Sequence, residues 1–418
     1  MKMNTILKKL NLRSIPQRSV VYFFVSFLGT GIQNVVPQYF FAQTFPETKA
    51  IWLSICLILG SLGSITIIWW VNLSNFYISR CNRGSVKLIL TMTISLILIV
   101  SIFLFKVSNV WIFVLFFIIT RTVTQFLVNV MDQYFVSVTP NHMVSFHSKI
   151  TSLFQLLGIM IAPVYFAFIL PSFAINSTVL ALLSAYTLLI ILVNTQSPTN
   201  VAQERFGTLL KGEKLTFQDI LFLIYVISLA SASLLFSSNT VFLLADYYQM
   251  KSSVLKSGVL LTTMNVFAIV AVMRTKSKLK STNGELLAPS KMIHLKISIG
   301  LFIAMISLFL TTAITFWILL FLGALIGYIY GLFYLFARQY ASYYSVKENK
   351  PLLISLYNNN SSYAVIISSI ALFATAITTH ILGVDITKYI IGCIGLFLII
   401  SIVASTCFII SPLRKVIS

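Results

Sequence analysis

Long apolar stretches separated by short polar segments run along the whole chain. Each stretch holds about 20 mostly apolar residues, the length that a helix needs to cross the hydrocarbon core of a bilayer. The pattern predicts twelve membrane spans, at 20–42, 50–71, 86–106, 110–135, 150–171, 177–194, 218–243, 254–273, 292–313, 315–337, 352–379 and 389–411. The shortest break lies between the ninth and tenth spans, at Thr311 and Thr312.

A polar segment in the middle divides the predicted spans into two sets of six. Residues 1–194 are predicted as an N-terminal six-helix bundle, 195–217 as a cytoplasmic linker and 218–418 as a C-terminal six-helix bundle. The chain is 58% hydrophobic and 9% charged, far from the usage of a soluble domain. The fold class expected is therefore an all-α polytopic membrane protein with twelve transmembrane helices in two six-helix bundles and a site between them.

The net charge of +20 does not indicate a nucleic-acid partner, because the Lys and Arg residues lie in short loops instead of on one folded face. With a cytoplasmic N-terminus, 23 of the 29 fall in cytoplasmic segments, five fall outside and Arg121 falls in the membrane. Basic residues concentrate on the cytoplasmic side of membrane proteins. The sequence thus predicts a multi-pass protein of the cell membrane with both termini in the cytoplasm.

The fourth span, FIITRTVTQFLVNVMDQYF at 117–135, carries two charges. Arg121 and Asp132 are eleven residues apart, which places them within about 20° on one helix face and about 16 Å apart along the axis, with Gln125 on the same stripe. Burying a guanidinium in hydrocarbon is costly, so Arg121 is predicted to line a central cavity, and the alternative is a structural residue bonded to neighbouring helices. Asp132, near the cytoplasmic end, is predicted to form a gating or structural salt bridge or to carry a proton.

Other polar or small side chains in the predicted spans are candidate cargo contacts. They are Thr30, Gln33 and Asn34 in the first span, Asn239 in the seventh, Tyr328 in the tenth and Asn359 within the run Asn358, Asn359, Asn360 of the eleventh. The asparagine run fits a cytoplasmic membrane interface equally well, and Tyr328 fits the protein core. Gly323, Gly327 and Gly331 form a repeated GxxxG, which predicts close helix packing.

The side chains that enzymes and metal sites require are not gathered at any one membrane depth. The four cysteines lack CxxC spacing, and the histidines have no carboxylate or cysteine neighbours in sequence. A nucleophile and a base are not brought together either. We therefore expect no enzyme activity, no cofactor and no metal site.

The chain resembles the major facilitator superfamily along essentially its whole length, and in particular its drug/metabolite:proton antiporters. In the loop SNFYISRCNRGSVK at 74–87, Arg80 and Arg83 match basic positions of the family's signature. The resemblance implies that they pair with Asp132 to close the cytoplasmic side. Arg121 matches the arginine of the family's span-four motif, which implies proton handling and substrate contact.

The fifth span carries GIMIAP, in which Gly158, Ala162 and Pro163 resemble the family's G-x-x-x-G-P antiporter motif with Ala in place of the second Gly. Pro163 removes a backbone hydrogen bond and bends the helix, which suits a helix that pivots. The resemblance implies an exporter that works as a monomer in the lipid bilayer.

The cargo expectation rests on charge. None of the nine acidic residues lies in the middle of a predicted span, so the only deep charge is positive. This favours a small anionic or zwitterionic organic molecule, such as a drug, a metabolite or a siderophore-like metallophore. Proton-coupled efflux by alternating access is the expectation; the alternatives are a lipid flippase of the same fold, an importer, and transport without ion coupling.

Overall fold

The computed structural model describes most of the predicted spans. It covers eight single positions between residues 22 and 44, then 49–65, 109–138, 144–172, 215–251, 253–275, 290–310, 315–347, 353, 356, 357, 360–382 and 386–411. Within these residues the chain is helical and contains no strand.

Nine α-helices are described, and each coincides with a predicted span. They are α1 Lys49–Ile65, α2 Val110–Val138, α3 Val144–Ser172, α4 Phe217–Phe242, α5 Ser253–Arg274, α6 Met292–Leu310, α7 Phe316–Lys347, α8 Asn360–Leu382 and α9 Ile386–Ile410. Helices α1 to α3 correspond to the second, fourth and fifth spans, and α4 to α9 to the last six. A π-helical turn, Leu243–Tyr247, continues α4. Helices α4 to α9 are each long and apolar enough to cross a membrane, and the chain is a multi-pass membrane protein.

Local signals in the sequence fix where two of the helices begin. The Asn109 side chain accepts hydrogen bonds from the backbone amides of Trp111 and Ile112 and caps α2. Thr216 and Asp219 form a reciprocal capping box at the start of α4. Such caps satisfy amide groups that have no partner within the helix.

The predicted break between the ninth and tenth spans is present, since α6 ends at Leu310 and α7 begins at Phe316. Helix α7 nevertheless extends ten residues beyond the predicted end of its span, to Lys347. The extension begins at Arg338, where hydropathy falls. It stays helical and buried, because Arg338, Gln339 and Ser342 are each covered by neighbouring helices.

The glycines of α7 pack as the sequence predicted. A Cβ added at Gly327 would overlap the carbonyl oxygen of Met264 in α5, and one at Gly331 would overlap that of Ala268. Glycine is therefore required at both positions for the two helix backbones to approach each other. Helices α5 and α7 form one closely packed pair.

Two of the described helices of the N-terminal half, α1 and α3, pack against the C-terminal half. Helix α1 packs against α8, and α3 packs against both α5 and α7. The large apolar side chains that remain exposed include Trp111 and Trp317 near the starts of α2 and α7. Tryptophan is enriched where helices leave the hydrocarbon, so these two positions fit a membrane boundary on the predicted extracellular side.

Candidate functional site

Arg121 lies near the middle of α2, about 16 Å along the axis from Val110 in a helix of 29 residues. Only 4% of its surface is exposed. Within the described residues, the Nε and Nη1 atoms have no hydrogen-bond partner. The middle of this helix therefore holds a buried cation, two of whose donor nitrogens have no partner among the described residues.

Helix α1 makes the space for this side chain. A Cβ added at Gly60 would overlap the ring of Phe117 and lie 3.3 Å from Cδ of Arg121. The thiol of Cys56, one turn earlier in α1, is close enough to interact electrostatically with the guanidinium. Because α1 also packs against α8, Arg121 is one helix away from the junction between the two halves.

An aromatic stack covers Arg121 on the predicted extracellular side. Phe113 and Phe117 precede it by two turns and one turn of α2, and both are fully buried. The ring of Phe113 stacks on Phe40 of the first span at 4.0 Å between centroids. Water is therefore excluded from this side of the guanidinium.

The chemistry available at Arg121 follows from these surroundings. A buried charge without hydrogen bonds costs several kcal/mol, about 3 to 5 when a partner has been removed. A guanidinium presents a planar fork of donors that matches a carboxylate. The site is thus suited to binding an anionic group.

A second buried arginine lies between the two halves, and sequence reasoning missed it because Arg338 was assigned to a loop. Its Nη1 donates to Oε1 of Gln155 in α3 at 2.6 Å. Its guanidinium also lies over the ring of Tyr22 in the first span, 5.2 Å from the centroid. Arg338 is 2% exposed, so the charge of this residue is enclosed by both halves.

The other predicted site residues that the structure describes are distributed over several helices. Asn239 is buried, and its Nδ2 donates to the carbonyl oxygen of Leu235 in its own helix at 2.8 Å. Tyr328 is half-buried in α7. Gly158 packs against the backbone at Phe23 in the first span, and Ala162 is fully buried.

The side-chain contacts of the remaining predicted site residues lie outside the part of the chain that the structure describes. Thr30, Gln33, Asn34, Arg80, Arg83 and Asn359 lie outside the described residues. Gln125, Asp132 and Pro163 lie on described helices, but their side chains are outside the described set. Their roles stay predictions.

No protein-family model and no curated protein matches the sequence. Solved structures do match over nearly the full length. The human organic anion transporter MFSD10 (TETRAN) is 11% identical with a TM-score of 0.65, and the match covers 95% of this chain and 99% of that one. The chain has the major facilitator fold.

Two further structures with this fold are similar over comparable lengths. The proton:xylose symporter XylE is 12% identical with a TM-score of 0.65, covering 94% of each chain. A bacterial homologue of the iron transporter ferroportin, in its outward-facing state, is 14% identical with a TM-score of 0.64, covering 94% of this chain and 98% of that one. These matches confirm the predicted all-α polytopic fold. At such low sequence identities they show the fold alone.

Proposed function

We propose that this protein is a secondary transporter that moves a small anionic or zwitterionic organic molecule across the cell membrane by alternating access. The observation that carries the proposal is the state of Arg121, a mid-span guanidinium that is buried and whose Nε and Nη1 lack partners among the described residues. An intramembrane charge of this kind marks a substrate or ion pathway more often than a structural contact.

The sign of the charge selects the cargo. Arg121 attracts a carboxylate or a similar group, and its fork of donors orients that group. Its close neighbours Gly60, Phe117 and Cys56 supply no competing carboxylate. A solved structure with the same fold is named an organic anion transporter, which supports this cargo class.

Efflux coupled to inward proton movement is the proposed direction and drive. It rests on the antiporter-like Gly158, Ala162 and Pro163 and on Asp132 as the titratable group of α2. The contact of Gly158 with the backbone of the first span supports a pivot there, because small residues let helices move against each other at short distance. One similar structure is a proton symporter, so import is the alternative direction.

The test is counterflow into proteoliposomes that contain the purified protein. Labelled citrate and succinate are compared with tetraphenylphosphonium, a lipophilic cation, and with a fluorescent phospholipid. We expect carboxylate counterflow at least about tenfold faster than cation counterflow, because the deep charge repels a cation. Equal rates for the cation contradict the charge argument, and movement of the phospholipid alone identifies a flippase.

Substitution of Arg121 tests the residue itself. Arg121→Gln is expected to lower carboxylate counterflow about 100-fold, since a charge-assisted contact to the cargo is lost. Arg121→Lys keeps the charge but not the planar fork of donors. Its carboxylate counterflow rate is expected to lie between the rates of Arg121→Gln and the unaltered protein. Arg274→Gln, at the exposed end of α5, is the matched control and is expected to transport normally.

A further inference from the structure

The amide of Gln155 in α3 joins the two halves of the molecule. Its Oε1 accepts a hydrogen bond from Nη1 of Arg338 at 2.6 Å and another from the hydroxyl of Tyr334 at 2.9 Å. Both donors belong to α7 and are one helical turn apart. A carbonyl oxygen has two lone pairs, so these two bonds use its full acceptor capacity.

Other contacts between the halves lie at the same end of the molecule, within two turns of Gln155. Nζ of Lys149 donates to the carbonyl oxygens of Met273 at 3.1 Å and Thr275 at 2.7 Å, at the end of α5. This places a cation at a helix C-terminus, where the helix dipole favours it. Ser148 and Ser342 are hydrogen-bonded through their hydroxyls at 3.2 Å.

Apolar side chains flank the Gln155 contacts, which are partly buried. Leu156 of α3 packs with Ala268 and Val272 of α5 and with Leu335 of α7, and all four are buried. Hydrogen bonds in such surroundings are stronger than in water, and those to a charged donor are the strongest. All of these contacts lie in the first half of α3 and in or just beyond the second halves of α5 and α7, which is the predicted cytoplasmic half of the molecule.

We propose that Gln155 is a positioning residue that holds the predicted cytoplasmic end closed, by binding Arg338 and Tyr334 of the opposite half through a single oxygen. Because one atom accepts both bonds, movement of α3 away from α7 breaks them together. Water that enters then satisfies all three groups separately, so the closed state is lost in one step. The inference rests on the proposed alternating access, and it adds a residue that decides which side of the transporter is open.

The experiment measures closure directly by disulfide formation between Ser148→Cys and Ser342→Cys. The two serine oxygens are 3.2 Å apart, so a small side-chain movement is expected to bring two cysteine sulfurs at these positions to bonding distance when the end is closed. Cys56, Cys81, Cys393 and Cys407 are replaced by Ser, and a protease site is inserted in the predicted linker. After oxidation with copper phenanthroline and cleavage, a cross-linked chain stays in one piece on a non-reducing gel.

Gln155→Leu, which removes the acceptor at similar volume, is expected to slow cross-linking about fivefold. Tyr334→Phe removes one of the two donors and is expected to slow it about twofold. Gln155→Glu keeps an acceptor for both donors and is expected to cross-link at least as fast as the parent. The melting temperature of each variant is measured in parallel.

Gln218→Leu is the matched control. At this end the Gln218 side chain accepts a hydrogen bond from Nζ of Lys291 and donates one to the carbonyl oxygen of Ser411, and both of these bonds lie within the C-terminal half. It is expected to leave cross-linking unchanged. The proposal is overturned if Gln155→Leu and Tyr334→Phe cross-link at the parent rate, or if Gln218→Leu slows the reaction equally. The assay contains no cargo, so it stays interpretable even if the counterflow experiment rejects the anionic cargo.

Discussion

Two buried arginines of this chain have opposite surroundings. Arg338 donates to Gln155 and lies over Tyr22, and both partners belong to the other half. Arg121 is enclosed by its own half, against Gly60 and Phe117. Its Nε and Nη1 have no partner in the part of the chain that the structure describes.

The difference indicates that the role of a buried guanidinium depends on whether its partners belong to the opposite half of the molecule or to its own half. A contact that spans two moving parts opposes their separation, so Arg338 stabilises one conformation. A guanidinium with unused donors inside one half gains most from a ligand that arrives with acceptors. The comparison is the basis on which we propose closure for Arg338 and cargo binding for Arg121.

The largest expected effect comes from a change in the space around Arg121 that leaves its charge in place. It tests whether transport depends on the position of this guanidinium. Gly60→Ala places a methyl group that overlaps the ring of Phe117 and lies 3.3 Å from Cδ of Arg121, so the ring must move and the Arg121 side chain must shift slightly. We expect carboxylate counterflow to fall about tenfold, because a small displacement of a positioning contact costs transport strongly. The disulfide assay of closure is expected to be unaffected.

Gly258→Ala is the matched control, because a Cβ at Gly258 meets nothing within 4 Å. It is expected to transport at the parent rate. Normal counterflow in Gly60→Ala, at an unchanged melting temperature, shows that the position of Arg121 does not matter. Loss of function in both variants points to a general effect of helix propensity instead.

Cys56 gives a second prediction, because its thiol reports the charge beside it. Cys56 is fully buried in this structure, so it is labelled only when the site opens. In a variant that retains only Cys56, a negatively charged methanethiosulfonate is expected to react about threefold faster than a positively charged one, since Arg121 attracts it. Arg121→Gln is expected to abolish this preference. The rates are followed by mass spectrometry, and a variant that retains only Cys407, exposed on α9, gives the reference ratio.

A Cys56 preference for the anionic reagent that survives Arg121→Gln contradicts the assignment. Such a result means that a positive group other than Arg121 sets the electrostatic potential at the Cys56 thiol. Citrate, added at the concentration used for counterflow, is expected to slow labelling of Cys56 and not of Cys407, because a bound anion covers the approach to the thiol.

The helices of this fold were predictable because their signals are local. Twenty apolar residues in a row identify a span wherever it packs. The glycines of α7 have a similar signal, because three small residues at a spacing of four make a flat surface that some helix must meet. The sequence did not say which helix, and the structure shows that it is α5, at Met264 and Ala268.

The contacts of the candidate site were harder to predict because they join distant parts of the chain. Hydropathy ends the tenth span at Arg338. Two of the contacts that help this charge stay buried in a helix are with Tyr22 and Gln155, which are far away in sequence. A single glycine in an apolar run carries no signal, so Gly60 was not singled out. Gln155 shares one small, polar face of the fifth span with Thr151, Gly158 and Ala162, but this pattern does not identify the partners of Gln155.

Asp132 gives a small expected effect. It relates the two regions, since it lies on α2 about 16 Å along the axis from Arg121 toward the predicted cytoplasmic end. If it carries the coupled proton, protonation from outside and release inside drive efflux, so an inward proton gradient accelerates transport. Asp132→Asn cannot cycle a proton, and we expect the gradient to lose its effect, a change of about threefold in counterflow. Citrate exchange without a gradient is expected to remain near the parent rate.

The alternative role of Asp132, pairing with Arg80 or Arg83, gives a different result in the same variant. Loss of a pairing carboxylate weakens closure at any pH, so the disulfide between Ser148→Cys and Ser342→Cys forms more slowly while the response to the proton gradient persists. Proton carriage predicts the reverse, with closure intact and the response lost. Measuring both in Asp132→Asn therefore decides whether this carboxylate acts with Arg121 on the cargo cycle or with the Gln155 contact on closure.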